Sequence, residues 1–139
     1  MKRTDARKRA FELLFAFTFY EKNEDVAENI ENNNIEGTKI DDFTILLFKG
    51  VIKNKENIDL LIKKNIKNWS FERISRVVKT AIRLAVYEII YEKDIPVGVS
   101  INESVEIAKE YGAKDESSYV QAVLASILNE IKQNEDHKL

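Results

Sequence analysis

Basic and aromatic side chains share one row of the first predicted helix, at intervals of four residues. Arg3 and Arg7 are followed by Phe11 and Phe15, and residues four apart are neighbours on a helix surface. A guanidinium group can pair with a phosphate through two hydrogen bonds, and an exposed ring can stack on a nucleobase. The row is therefore typical of RNA binding. The alternative is that the phenylalanines pack against a neighbouring helix, which we favour for Phe11, and that the arginines only border that contact.

A second row with similar chemistry lies on a later helix. Arg76, Lys79, Arg83 and Tyr87 share a face at spacings of three and four. If the two helices pack side by side, the rows would merge into one positive surface long enough for several phosphates. The alternative is a basic face that is simply solvated.

The distribution of charge favours an anionic partner more than the total charge does. The net charge is -2, but the first nine residues hold five basic side chains and one acid, a local charge of +4 that leaves -6 for the rest. A basic end on an acidic body can attract nucleic acid. Because +4 is modest, we expect the first helix to form one edge of a composite site.

Side chains suited to catalysis or metal binding are scarce. The sequence has no cysteine and one histidine, His137, so it offers neither a thiolate metal site nor a pair of histidines. Glu103 and Glu106 are one helical turn apart, but such pairs are far more often solvent-facing than catalytic. No phosphate-binding glycine loop, zinc-protease motif or nucleophile elbow occurs. We therefore expect no enzyme activity, no cofactor and no metal.

Helices must position these residues, because the chain has one proline, four glycines and apolar residues at spacings of three and four. We predict a single all-α domain over residues 1–139, a compact bundle of six to seven helices with a frayed tail at 134–139. The broad apolar surface of the helix at 74–92 makes it the central one. The predicted helices span residues 4–20, 25–32, 41–66, 74–92, 100–112 and 116–132.

Several residues are predicted to begin or end these helices. Ser100 and Glu103 have the spacing of a capping box. Gly112 fits a left-handed C-cap, and Asp115 is placed to cap the last helix.

The sequence gives few signals about compartment. No apolar run is long enough for a membrane span, and the N-terminus lacks the apolar core of a signal peptide. The absence of cysteine fits a reducing compartment. We expect a cytoplasmic protein.

Four ordered blocks of sequence carry longer motifs than these rows. They are ARKRAFELLF at 6–15, IRLAVYEI at 82–89, IPVGVSINESVEIAKEYG at 95–112 and the stretch at 115–124. The first resembles the opening pattern ARxxAxxxLY, or LF at its end, of the NusB family of bacterial transcription antitermination factors. The second is similar to that family's LRIALYEL segment. The third, which is the most specific, resembles its VPxxVAINEAVELAKxFG pattern.

This resemblance implies an all-helical fold of two packed three-helix units that acts without catalysis. A NusB-like protein would bind single-stranded boxA-type RNA of nascent ribosomal RNA transcripts. It would do so together with the ribosomal protein NusE, within an RNA polymerase antitermination complex. By that likeness Asp115 and Tyr119 would lie at the RNA with the start of the first helix. Together with the second basic row, the predicted RNA contacts are Lys2, Arg3, Arg7, Arg76, Lys79, Arg83, Asp115 and Tyr119.

The resemblance also implies a surface for NusE, with Phe15 and Tyr111 in or beside it. Val78 stands where the family often has a glutamate that contacts NusE, so this contact would be apolar or absent. Gln121 and Ala122 replace the usual Asn-Gly, which leaves open the backbone geometry that follows Tyr119.

A different class of function stays open. The aromatic residues could instead form the interface of a helical scaffold or homodimer with little RNA affinity of its own. A kinship with the NusB-like domain that precedes some RNA cytosine methyltransferases is less favoured, because we expect no methyltransferase module within 139 residues.

Overall fold

The computed structural model describes residues 2–19, 41–67 and 70–137, with residues 136 and 137 described by their backbone. Within these ranges the chain forms α-helices, one 3-10 turn and no strand, so the predicted all-α class is confirmed. No helix in the described ranges is both long and apolar enough to cross a bilayer. The predicted helix at 25–32 lies outside the described residues. The helices are α1 (Arg3–Phe17), α2 (Asp42–Asn65), α3 (Arg76–Tyr91), α4 (Val97–Tyr111) and α5 (Glu116–His137), and the 3-10 turn is Phe71–Arg73.

Helix α3 is the central one, as its broad apolar surface predicted. It packs against all four other helices, and every residue from 80 to 89 is buried. Its first turn is capped by Ser75, whose hydroxyl accepts a hydrogen bond from the Val78 N–H at 3.1 Å. The neighbouring helices bury their apolar stripes around it in one continuous core. Residues with no exposed surface in this core include Ala10, Leu47, Ile58, Ile82, Val120, Leu124 and Ile127.

Helix α1 runs antiparallel to α3. Arg7, in the first half of α1, contacts Glu88 near the end of α3. Phe19, just beyond α1, contacts Arg76 at the start of α3. The basic start of α1 therefore lies at the opposite end of this helix pair from the basic start of α3.

Helix α4 begins at Val97, earlier than the sequence predicted, with Pro96 at its N-cap. A proline fits here because its fixed φ suits a helix start, where a missing N–H costs little. Ser100 is consequently inside the helix and buried, and its hydroxyl donates to Glu88 Oε1 at 2.9 Å. The predicted capping box between Ser100 and Glu103 is therefore wrong, because the serine hydroxyl pairs with a buried carboxylate instead.

The turn between α4 and α5 also differs from the prediction. Gly112 has an extended backbone with φ -96° and ψ 174°, so the predicted left-handed cap is wrong. A lack of room for a side chain explains why glycine occupies this position, because a Cβ atom there would lie 2.6 Å from the Ala108 carbonyl oxygen. The residue of this turn that has a left-handed backbone conformation is Asp115, with φ 73°. The side-chain hydrogen bond of this turn is made by Glu116, which accepts from the Ala113 N–H at 2.8 Å, so the cap predicted at Asp115 is wrong.

Helix α5 continues to His137, past its predicted end at residue 132. Gln133 and Glu135 in this stretch are good helix formers. Part of the segment 134–139 that was predicted to fray is therefore helical.

Candidate nucleic-acid interface

The exposed cations of the two basic rows lie at opposite ends of the antiparallel pair α1 and α3. Lys2 and Arg3 are exposed at the start of α1, where the Arg3 guanidinium lies 4.5 Å from the Phe43 ring centroid. The Arg76 guanidinium lies 4.2 Å from the Phe19 ring centroid, beyond the other end of α1. Arg3 and Phe19 are roughly 24 Å apart along the chain at 1.5 Å of rise per residue. The rows therefore do not merge into one continuous surface.

Arg7 is buried rather than exposed. Its Nε and Nη2 donate to the two carboxylate oxygens of Glu88 at 2.9 and 3.0 Å, and only 3% of the residue is accessible. Ser100 donates a further hydrogen bond to the same carboxylate. The prediction that Arg7 belongs to an exposed row is therefore wrong, because a charge buried in α3 needs an opposite charge beside it. Arg7 instead fixes α1 against α3.

The second row also contains both buried and accessible residues. Arg83 is 6% accessible and donates to both carboxylate oxygens of Asp59 at 2.8 and 2.9 Å. Tyr87 is buried and donates to Glu92 Oε1 at 3.0 Å; burial, followed by this hydrogen bond, raises the pKa of Tyr87 to about 12. Lys79 is half-buried. Arg83 therefore joins α3 to α2, whereas the hydrogen bond of Tyr87 stays at the end of α3. The accessible part of this row is its start.

Asp115 and Tyr119 line one open pocket of about 380 Å³ between the start of α3 and the start of α5. The Tyr119 hydroxyl is buried and has no hydrogen-bond partner among the described residues. Burial raises the pKa of Tyr119, so the group remains a neutral donor at pH 7. An unpaired buried hydroxyl costs about 1–3 kcal/mol, which a bound acceptor would recover. The lining residues of this Tyr119 pocket are Arg73, Ile74, Ser75, Val78, Lys114, Asp115, Glu116 and Tyr119.

The wall of the Tyr119 pocket offers several kinds of contact. Ile74 and Val78 are buried and provide an apolar surface. Arg73 and Lys114 are exposed cations at the rim, and the exposed Asp115 carboxylate is a hydrogen-bond acceptor. A flat polar ring with a neighbouring anionic group would match this combination, which is how an unstacked nucleobase and its phosphates present themselves. After Tyr119, residues 120–122 continue as regular helix.

An aromatic row joins α1 to the end of α4. Phe11 is buried, as favoured from the sequence, and its ring centroid lies 4.9 Å from that of Tyr111. Phe15 is half-buried between Phe11 and Phe19, at centroid distances of 5.9 and 5.4 Å. The structure thus brings Phe15 and Tyr111 together on one surface. Val78, which the sequence grouped with them, is instead buried at the wall of the Tyr119 pocket.

Sequence reasoning missed the acidic partners Glu88 and Asp59 and the pocket cations Arg73 and Lys114. One signal was available for Glu88, because it is the only carboxylate between residues 76 and 91, in a helix with a broad apolar surface. A charge in such a helix must find a partner in a neighbouring element. The pocket cations gave no comparable signal, because they are brought together only by the packing of α3 against α5.

These features define a class of protein: an all-α domain with exposed cations at two ends and an open pocket suited to an unstacked base. Comparisons with known proteins narrow the class. The sequence model of the NusB family matches residues 4–129. A transcription antitermination protein NusB from Listeria welshimeri is 42% identical over 132 residues, which cover 95% of this chain and 100% of that protein.

Solved structures give the same result. T. maritima NusB has a TM-score of 0.81 at 33% identity, and the match covers 100% of this chain and 99% of that one. A chain from the crystal structure of the antitermination factors NusB and NusE in complex with double-stranded RNA has a TM-score of 0.72 at 28% identity, covering 91% of this chain and 97% of that one. The chain belongs to the NusB family, which confirms the family predicted from the four sequence blocks.

Proposed function

We propose that this protein is a transcription antitermination factor that binds boxA-type RNA of nascent ribosomal RNA transcripts together with NusE, as part of an RNA polymerase antitermination complex. Family membership over residues 4–129 supports the proposal, as do the names of the curated relatives. A structural relative that is held with NusE and double-stranded RNA supports it further. The role is binding without a catalytic step, in the cytoplasm where transcripts are made.

The observation that carries the proposal is an open pocket of about 380 Å³ lined by Tyr119, whose buried hydroxyl has no hydrogen-bond partner among the described residues. Small-ligand pockets start near 300 Å³, so one base fits. The hydroxyl would donate to an acceptor on the base edge, and Asp115 would accept from an exocyclic amino group. Arg73 and Lys114 would pair with the adjoining phosphates, which position the strand without reading its sequence.

The predicted RNA contacts divide into two roles. We propose phosphate contacts for the exposed Lys2, Arg3 and Arg76, and also for the half-buried Lys79. Arg7 and Arg83 would act as positioning residues, because Glu88 and Asp59 already occupy their guanidinium groups. RNA that touches both Arg3 and Arg76 must span the length of α1, which implies several nucleotides.

NusE would bind the aromatic row where α1 meets the end of α4. Tyr111 and Phe19 are 38% and 57% accessible, and aromatic rings are enriched in protein interfaces. Val78 is too buried to replace the charged contact common in the family, so its part would be limited to shaping the pocket wall.

A titration with a boxA-type RNA and a scrambled RNA, with and without NusE, tests this function. We expect a preference for the boxA-type RNA that increases when NusE is present. Equal affinity for both RNAs in the presence of NusE would contradict the proposal.

The exposed aromatic rings favour one alternative, a homodimer or scaffold that uses the same row for a protein contact. Sedimentation of the free protein at several concentrations addresses it. Dimerisation that Phe19→Ala abolishes, combined with equal binding of both RNAs, would favour the alternative.

A further inference from the structure

A second open pocket shares Tyr119 with the first. It has a volume of about 250 Å³ and lies between the end of α2 and the first half of α5. We refer to it as the Ser126 pocket, and its lining includes Asn65, Lys67, Tyr119, Ala122 and Ser126. No role has been given to this pocket so far.

The two pockets follow one side of α5. Asp115, just before α5, and Tyr119 line the Tyr119 pocket, whereas Tyr119, Ala122 and Ser126 line the Ser126 pocket. The four residues are four, three and four positions apart, so they form one row along the helix. The row is roughly 16 Å long at 1.5 Å of rise per residue. A strand that is held at the Tyr119 pocket and follows α5 therefore enters the Ser126 pocket next.

A hydrogen-bonded pair of polar side chains forms part of the Ser126 pocket. Ser126 Oγ donates to Asn65 Oδ1 at 2.7 Å. Asn65 Nδ2 donates to the Leu61 carbonyl oxygen at 2.9 Å and to Glu130 Oε2 at 3.4 Å. Because a carbonyl oxygen and a carboxylate accept hydrogen bonds and do not donate them, these two contacts fix the orientation of the Asn65 amide.

This pairing determines which hydrogen bonds the two side chains can still make with a ligand. The hydrogen atoms that they can donate are engaged, one from Ser126 and two from Asn65. Ser126 Oγ and Asn65 Oδ1 keep lone pairs, because a hydroxyl oxygen and an amide oxygen can each accept more than one hydrogen bond. The pair therefore favours a ligand group that donates a hydrogen bond.

The size and charge of the Ser126 pocket narrow the ligand further. A volume of about 250 Å³ is below the roughly 300 Å³ at which small-ligand pockets start, so the pocket fits part of a nucleotide. The buried Val123 and the half-buried Ile66 give it an apolar wall, and Lys67 is an exposed cation in its lining. A ribose matches these features, because its 2′-hydroxyl can donate a hydrogen bond and the phosphate attached to it is anionic.

We propose that the Ser126 pocket holds the ribose of a nucleotide next to the one at the Tyr119 pocket. The 2′-hydroxyl would donate to Ser126 Oγ, and Lys67 would pair with the adjoining phosphate. The pocket would then distinguish RNA from DNA, because DNA lacks this hydroxyl. The inference rests on the proposed function, since it assigns the Ser126 pocket to the same RNA. It adds a contact that reads the sugar and not the base.

The test uses boxA-type RNAs in which one 2′-hydroxyl at a time is replaced by hydrogen, with NusE present. A parallel series removes one exocyclic amino group at a time from the bases, which are the other donors of an RNA strand. Affinities are measured for wild type, Ser126→Ala and Ser126→Thr, of which the threonine variant keeps a hydroxyl. Urea unfolding of each variant checks that it is folded.

We expect one deoxy position to cost wild type about three- to tenfold in affinity, the effect of one hydrogen bond. Ser126→Ala should lose a similar factor on unmodified RNA and nothing further at that deoxy position, because two changes that remove the same contact are not additive. Ser126→Thr should bind as wild type does. Removal of a base amino group should cost wild type and Ser126→Ala the same factor.

A matched pair of leucine variants tests the pocket without touching the hydrogen-bonded pair. Ala122 and Ala125 are both exposed on α5, and of the two Ala122 lines the Ser126 pocket. Ala122→Leu should fill the pocket and lower affinity for unmodified RNA by at least the about three- to tenfold of the lost hydrogen bond. Ala125→Leu should leave this affinity unchanged.

Three results would overturn the inference: no deoxy position whose cost disappears in Ser126→Ala, a base amino group whose cost disappears there instead, or equal losses in Ala122→Leu and Ala125→Leu. Failure of the proposed function has a different signature, in which wild type binds boxA-type and scrambled RNA equally. Scrambled RNA would then be compared with DNA of the same sequence, and the preference of wild type for RNA should still decrease in Ser126→Ala.

Discussion

Two buried polar sites contact the central helix α3, and they differ in how completely their polar atoms are paired. Where α1 and α4 meet α3, Arg7, Glu88 and Ser100 form a network with all three hydrogen bonds at 2.9 or 3.0 Å. Where α5 meets α3, the buried Tyr119 hydroxyl has no partner among the described residues, and Tyr119 is one of the residues that line an open pocket. Buried polar groups are nearly always paired. The complete network therefore indicates a structural role, and the unpaired hydroxyl indicates a place for a ligand.

The comparison predicts its largest effect for Arg7→Ala. Removal of the guanidinium leaves the Glu88 carboxylate buried without its counter-ion, which should lower the free energy of unfolding by about 3–5 kcal/mol. Urea unfolding measures this change. The control Arg9→Ala, on the partly exposed side of α1, should change stability by no more than about 0.5 kcal/mol. If Arg7→Ala kept full stability and lost RNA affinity, Arg7 would be an RNA contact and the comparison would fail.

A smaller effect is predicted for Arg83→Ala. The hydrogen bonds of the Arg83–Asp59 pair are similar in geometry to those of the Arg7–Glu88 pair. The Asp59 side chain, however, is 14% accessible, whereas that of Glu88 is 1% accessible. Water can therefore hydrate Asp59 after the substitution, and we expect a loss of about 1–3 kcal/mol. Thermal or urea unfolding of both variants under one set of conditions gives the ranking. A loss as large as that of Arg7→Ala would show that accessibility does not set the difference.

The smallest effect concerns the rim of the pocket. Asp115 has φ 73°, which aspartate and asparagine tolerate better than other residues with a side chain. Asp115→Asn should leave stability unchanged, whereas Asp115→Ser should lower it by about 0.5–1 kcal/mol. If Asp115 capped α5 instead, the serine variant would be as stable as wild type, because serine caps a helix as well as aspartate does. Equal stability of the serine variant and wild type would therefore restore the capping role.

Apolar spacing was sufficient to predict the five described helices, because the residues of each buried stripe belong to one continuous segment. The predicted apolar stripe of α1 is Ala6, Ala10, Leu13, Leu14 and Phe17; the first four are buried and Phe17 is half-buried. Helix α3 is central, as its wide apolar surface predicted. Polar partners were less predictable. A spacing of four places Arg3 and Arg7 on one row, but it does not say that α3 covers only the second of them.

In the candidate site, too, contacts within one segment were predictable and contacts between segments were not. Asp115 and Tyr119 are one helical turn apart, so their proximity could be inferred from the sequence. Arg73 and Val78 join them only through the packing of α3 against α5. Ser100 was assigned to a cap from local spacing, although a buried carboxylate from another helix determined its role. Contacts between distant segments depend on tertiary packing, which no local pattern contains.

The central claim, that the Tyr119 hydroxyl is reserved for RNA, is tested most directly by Tyr119→Phe, which removes that oxygen alone. Unfolding and binding of boxA-type RNA with NusE are measured on the same preparation, with Tyr91→Phe as the control on an exposed tyrosine. We predict unchanged or slightly higher stability, by up to about 1 kcal/mol, and a loss of RNA affinity of about three- to tenfold. Lower stability with unchanged RNA affinity would contradict the account.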